Sequence, residues 1–202
     1  MKIAMETKCA PATDIAKGKS LPPVAELMLA ANRLKTLYRQ GWRRAGVSRE
    51  QCESVAEHTF GVAICAWALG RQMRPELDER RVLLLGLLHD FGEIYAGDIV
   101  PGKMSLEDKH AEEAAAVRRV FAGCGAFGEE CVAVWEEYEA QETPESRWVK
   151  QIDRLEMGIQ GVVYEHSQAP IDLGDFMAST DDALHDADLK EFWSAVKALR
   201  PG

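Results

Sequence analysis

Positive charge is scarce in this sequence. Lys and Arg number 24 against 33 Asp and Glu, a formal net charge of −9. Binding along a nucleic-acid polymer calls for a surplus of Lys and Arg to displace counterions, so that class is excluded. A small phosphorylated ligand is not excluded, because one cation and a few arginines reverse the field locally. Long apolar runs are absent too. Nothing approaches the roughly 18 residues of a membrane span, and residues 82–88 are bounded by Arg81 and by His89-Asp90. The cysteines, Cys9, Cys52, Cys65, Cys124 and Cys131, are odd in number, with no pair at zinc-knuckle or redox spacing. Reduced thiols in a cytoplasmic protein are expected. Residues 1–19 hold no continuous apolar segment, so no signal peptide is expected. Alternating strand patterns and internal repeats are missing as well.

What is present is helical periodicity in an ordinary globular composition, 47% apolar and 28% charged. At 202 residues the chain is long enough for one sizeable core. Residues 1–22 read as a poorly ordered lead-in and 23–200 as the domain. Apolar positions three and four apart predict a helix over 24–40, ended by Gly41, then an Arg-rich loop to Cys52. Further helices are expected over 54–73, 79–91, 105–122, 129–140, 144–166, 173–180 and 187–199. Residues 82–88 are apolar on every side, which predicts the middle of the domain. The segment from Gly92 to Gly102 reads as irregular. The expected fold is an all-α single domain.

Polar residues at positions that should be apolar carry the chemistry. His58 lies three residues after Val55 and four before Val62. His89-Asp90 ends the most apolar helix, and Asp153 lies four residues after Val149. A buried carboxylate without a partner is costly, and two carboxylates with two imidazoles are reconciled if they share a divalent cation. Such a set suits Mn, Fe, Co, Ni or Zn, with Mg less favoured by imidazole. Neighbours on a regular helix diverge by about 100°, so His89 and Asp90 reach one ion only where the backbone leaves the helix; Gly92 supplies that freedom. Taken singly, His89 also suits a helix C-terminus, and Asp153 a pairing with Lys150 or Arg154. Glu93, one turn past Asp90, is a candidate acid or base, or a capping residue. Asp98 is a candidate for the complementary role, or a turn residue before Pro101. Arg43, Arg44, Arg49 and Lys103 are candidate phosphate cations or ordinary solvated ones. Trp42 stacks on a base or packs its loop.

The order His58, His89-Asp90, Asp153 resembles the HD-domain metal-dependent phosphohydrolases. The strings Glu53-Ser54-Val55-Ala56-Glu57-His58, Leu88-His89-Asp90-Phe91-Gly92-Glu93, Gly97-Asp98-Ile99-Val100-Pro101 and Val149-Lys150-Gln151-Ile152-Asp153-Arg154-Leu155-Glu156-Met157 are similar to the 5′-deoxynucleotidase branch. Gly41-Trp42, Lys109-His110, Tyr164-Glu165 and Asp175-Phe176 add to the likeness, which runs from about residue 24 to 199. The resemblance implies a helical HD-domain bundle and hydrolysis of nucleoside 5′-monophosphates, especially deoxy ones. It implies one divalent metal ion, of Mn, Co, Fe, Ni, Zn or Mg, held by His58, His89, Asp90 and Asp153, with Glu93 and Asp98 as catalytic carboxylates. Trp42, Arg43, Arg44 and Lys103 would border a small nucleotide. Bacterial members place an Arg directly before the Trp, whereas this chain has Gly41. Dinuclear HD enzymes add histidines between the HD pair and the last Asp; here only His110 lies there, so one metal is expected. Alternatives are another small phosphorylated metabolite as substrate, a mixed-valent iron oxygenase, or a non-catalytic nucleotide-binding module. A homo-oligomer, a dimer, is implied, with residues 129–140 or the C-terminal helices as candidate surfaces.

Overall fold

The computed structural model describes residues 5–9, 18–99, 104–168 and 170–201. Pro22 and Pro23 open helix α1 (Pro23–Ala31), because a proline at the first helical position gives up an N–H that has no partner there anyway. The expected helix over 24–40 does not continue. It tightens into a 3-10 turn (Asn32–Lys35) and then extends. Tertiary pairing overrides the helical periodicity here. Thr7 pairs with Leu37 and Tyr38 with Ser54 in isolated antiparallel bridges. Lys8 N donates to Thr36 O, Tyr38 N to Glu6 O and Val55 N to Leu37 O. Residues 5–9 of the lead-in are thus tied to the domain.

Gly41 does not end a helix. It lies inside α2 (Gln40–Ala45), and Gly46, with φ of 99°, is the residue that stops that helix. The Arg-rich loop expected over 41–52 is therefore partly helical. Ser54 and Glu57 form a capping box that starts α3 (Val55–Met73), which fixes His58 one turn into the helix. Asp78 caps α4 (Glu79–Leu88). The chain then makes one short turn, α5 (Glu93–Ala96), within the stretch expected to be irregular.

Ser105 caps α6 (Leu106–Val120). Helix α7 (Gly125–Ala140) begins four residues before the expected start; Gly128 lies inside it, against the Phe121 carbonyl where a side chain would not fit. Thr143 caps the long α8 (Pro144–Ser167), followed by α9 (Gly174–Ala183) and α10 (Ala187–Lys197).

Helices α3, α4 and α8 pack against one another at the centre. Helix α7 covers α4, and α9 and α10 cover α8. The approach of α3 to α4 is close: a Cβ on Gly86 would come within 2.9 Å of the Ala63 Cα. Helix α4 is central, yet Leu87 is 43% exposed, so its run of leucines is not buried on every side. This all-α arrangement sets the first turn of α3, the end of α4 and the middle of α8 around one point.

Candidate metal centre

His58 is fully buried. Its Nε2 lies 3.1 Å from Asp153 Oδ1 and 3.8 Å from Asp90 Oδ2, while its Nδ1 lies 2.6 Å from Glu156 Oε2. His89 follows the last turn of α4, with Nδ1 2.8 Å from the Gly86 carbonyl. A carbonyl only accepts, so Nδ1 carries a hydrogen and Nε2 is the nitrogen turned into the site. That Nε2 is 3.2 Å from Asp90 Oδ2. His58, His89 and Asp90 each offer a donor atom within 4.8 Å of the others. Asp153 joins through His58 rather than by closeness to all three.

The donors fit a divalent ion. Among the described residues, His89 Nε2 and Asp90 Oδ2 are buried without a hydrogen-bond partner, as is Glu93 Oε2. Buried polar atoms normally find partners, so two such orphans facing each other mark a place for a cation. Two imidazole nitrogens and two carboxylate oxygens are a set that transition metals accept. Glu53, His58 and Glu156 also lie close together, but Glu156 is already hydrogen-bonded to His58 Nδ1 and Glu53 accepts from Trp42.

Electrostatics around the point are strong. Burial and the Arg39 charge oppose a proton on His58, and hydrogen bonds to Asp153 and Glu156 outweigh them, pushing its pKa up to about 10. Burial also opposes the charge on Asp90, but His89, Arg39 and His58 hold that carboxyl well below its usual range. Glu93 goes the other way: burial and the charges of Asp90 and Asp98 raise its pKa well above the ordinary value. Asp98 is anchored by the backbone, accepting from Gln40 N at 2.5 Å.

Arg39 was not among the expected site residues, and it sits at the centre of this field. Its Nη1 is 3.6 Å from Asp98, 3.8 Å from Glu93 and 3.9 Å from Asp90. Tyr138 was missed as well. Its hydroxyl donates to Asp153 Oδ2 at 2.9 Å, leaving Oδ1 toward His58, and Lys150 lies 4.5 Å over its ring. In sequence Tyr138 reads as one more apolar position of an acidic helix.

Two cavities meet here. One, of about 760 Å³, is lined by His89, Asp90, Glu93, Asp153, Lys109 and Lys150, among others. The second, of about 610 Å³, is bordered by Trp42, Arg44, Met157 and Phe176, and both share Arg39, Asp98 and Arg154. Trp42 is only 1% exposed, stacked on Phe176 with ring centroids 4.1 Å apart. Its Nε1 donates to Glu53 at 2.7 Å, so the indole is a packed wall. Arg43 borders neither cavity; it pairs with Glu6 at 3.2 Å and with the Val47 carbonyl. Arg49 also pairs with Glu6, at 3.1 Å. His110 pairs with Glu139 and stacks on Trp135. Lys103 lies outside the described residues.

The chain matches the HD domain family over residues 31–193. It is 33% identical to a Xenopus laevis protein named 5′-deoxynucleotidase HDDC2, over 89% of this chain and 87% of that one. The crystal structure of the PH0347 protein from Pyrococcus horikoshii is similar with a TM-score of 0.75 at 27% identity, covering 87% of this chain and 99% of that one. A structure titled as a metal-dependent phosphohydrolase from Magnetospirillum magnetotacticum has a TM-score of 0.64 at 25% identity, covering 88% and 92%. The His-Asp pair closing α4, the imidazole brought to it by α3 and the carboxylate from α8 are thus set in a chain that belongs to the HD domain family.

Proposed function

We propose that this protein is a metal-dependent phosphomonoesterase that hydrolyses 2′-deoxynucleoside 5′-monophosphates to nucleoside and phosphate. One observation carries the reading. Donor atoms of His89 and Asp90, unpaired among the described residues, line a cavity of about 760 Å³ that also holds Arg39, Lys109 and Lys150, with the buried His58 close behind them. That volume suits a small ligand rather than a polymer. The relatives named 5′-deoxynucleotidase supply the substrate class.

His58, His89, Asp90 and Asp153 would hold the ion. A divalent metal there supplies Lewis acidity toward a phosphoryl oxygen and makes water nucleophilic near neutral pH. The chain does the rest. Arg39, Lys109 and Lys150 give the cavity the positive charge that a phosphate dianion needs. Asp98 holds Arg39 by charge and can take a proton from the attacking water. Glu93, whose pKa is raised by burial and by the charges of Asp90 and Asp98, is placed to deliver a proton to the departing 5′ oxygen. The water oxygen–phosphorus bond forms as the phosphorus–O5′ bond breaks. The adjoining cavity, walled by Trp42, Phe176 and Met157, takes the nucleoside, with Arg44 at its border.

A homodimer fits the surface. Helix α7 is not the favoured face, because its Glu130 and Glu136 are paired with Arg80 and Arg118 of the same chain. Helix α3 instead turns Phe60, Ile64 and Trp67 outward. Among the described residues no helix is long and apolar enough to cross a membrane.

Phosphate release from a panel of ribo- and deoxynucleoside monophosphates, with each metal supplied in turn, tests the reading. Deoxy substrates should be turned over faster, and only with metal present.

A further inference from the structure

The two imidazoles proposed to bind metal are held by different means. His89 is fixed by its own helix, through the Gly86 carbonyl. Nothing on α3 does the same for His58. Its Nδ1 meets instead a carboxylate from another helix, Glu156 of α8, at 2.6 Å. Glu156 is three residues past Asp153, so both carboxylates face α3 from one side of α8. They take opposite edges of one ring: Glu156 at Nδ1, Asp153 at Nε2.

Space for this arrangement is specific. Gly61 is three residues past His58 and faces the same way on α3. A Cβ there would overlap Glu156 Oε1 and come within 3.0 Å of its Cδ and 3.1 Å of its Cγ. Ala is the better helix former at an interior position, so a glycine here has another cause, the room the carboxylate occupies. Glu53 is near too, but one of its oxygens already accepts from Trp42. Glu156 is therefore the acceptor that decides the ring.

We propose that Glu156, seated in the gap left by Gly61, is the positioning residue that prepares His58 for metal, accepting the Nδ1 hydrogen and so turning Nε2, the nitrogen that would bind the ion, toward Asp90 and Asp153. The proposal rests on the metal-dependent reading above. It is the side-chain counterpart of the backbone carbonyl that serves His89. Carboxylates hydrogen-bonded behind a metal-bound imidazole fix its tautomer and orientation, and their loss weakens metal binding by about 10- to 100-fold.

The test is Co²⁺ affinity, measured on the full chain by competition with a chelator and followed by the visible absorption of the bound ion. Melting is recorded alongside. Glu156→Ala should lose about 10- to 100-fold in affinity, whereas Glu156→Gln, which keeps an acceptor oxygen, should stay close to the parent. Gly61→Ala leaves every ligand and the carboxylate in place, yet should weaken binding by displacing Glu156. In the Glu156→Ala background Gly61→Ala should add nothing, because the two act through one contact. Unchanged affinity in Glu156→Ala, or an equal Gly61→Ala effect in both backgrounds, overturns the proposal while leaving the metal site standing. A parent chain that takes up no Co²⁺ overturns the functional reading, and this inference with it.

Discussion

Arg39 and Asp98 are locked together, with Nη1 3.6 Å from Oδ1 and the next backbone N–H, that of Gln40, donating to the other Asp98 oxygen at 2.5 Å. The same guanidinium reaches Asp90 and Glu93. One largely buried guanidinium therefore faces three carboxylates of the cavity wall at once. Arg39→Ala should lower kcat by about 10²–10³-fold, the usual cost of removing a charge aimed at the reacting group. Arg39→Lys should recover only part of that, because an ammonium lacks the planar fork. Arg43→Ala should leave the rate near the parent value, since Arg43 is committed to Glu6 and Val47. Phosphate release under saturating substrate decides among these; equal losses at both positions would contradict the assignment.

Tyr138→Phe removes the hydroxyl that donates to Asp153 Oδ2. The carboxylate oxygen is then buried without its partner, a cost of about 1–3 kcal/mol. Metal uptake should weaken and Tm should fall, with the circular dichroism spectrum unchanged. A variant that matches the parent in both would show that Asp153 is held by other contacts.

Gly86→Ala tests the fold beneath the site. The added methyl group would meet the Ala63 backbone at 2.9 Å, and backbone yields less readily than a flexible side chain. Overpacking of this kind costs about 1–3 kcal/mol, so denaturant unfolding should show a lower midpoint despite the better helix propensity of alanine. A raised midpoint would mean that α3 and α4 lie further apart than described.

Glu53 gives stability a pH dependence. Burial, with the Glu156 charge next, lifts its pKa from an ordinary 4.5 to about 7. The folded chain thus binds this proton more tightly than the unfolded chain. Its contribution is complete below pH 4.5 and is lost as pH rises through 7. The loss is on the order of 3 kcal/mol. Glu53→Gln keeps an acceptor for Trp42 and removes the titration. Its stability advantage over the parent should grow between pH 5 and pH 8 in parallel unfolding titrations; a constant difference would contradict the shift.

Most helices were legible because their apolar spacing, caps and prolines agree with the packing. Ser54, Ser105 and Thr143 all cap the helices expected after them. The stretch from Asn32 to Gln40 was not. Its leucines keep a helical period, but the hydrogen bonds that extend it come from residues 6, 8 and 55, which local pattern cannot place. Arg39 was hidden for the same reason: it reads as the polar end of a helix, and only that extension turns it toward Asp98. His58, His89, Asp90 and Asp153 stood out because each is polar where a buried face is due, and the structure brings them to one region. Tyr138 and Glu156 gave no such signal. An aromatic on an apolar stripe and a glutamate on a charged helix are ordinary until their partners across the core are known.

Metal-dependent release of phosphate from a deoxynucleoside 5′-monophosphate is the central activity to measure. Purified protein stripped of metal, then given one divalent ion at a time, should regain dAMP hydrolysis at about one ion per chain. Asp90→Ala should remain helical, bind the ion poorly and release almost no phosphate. Hydrolysis that persists in the metal-stripped protein, or in Asp90→Ala, would contradict the central claim.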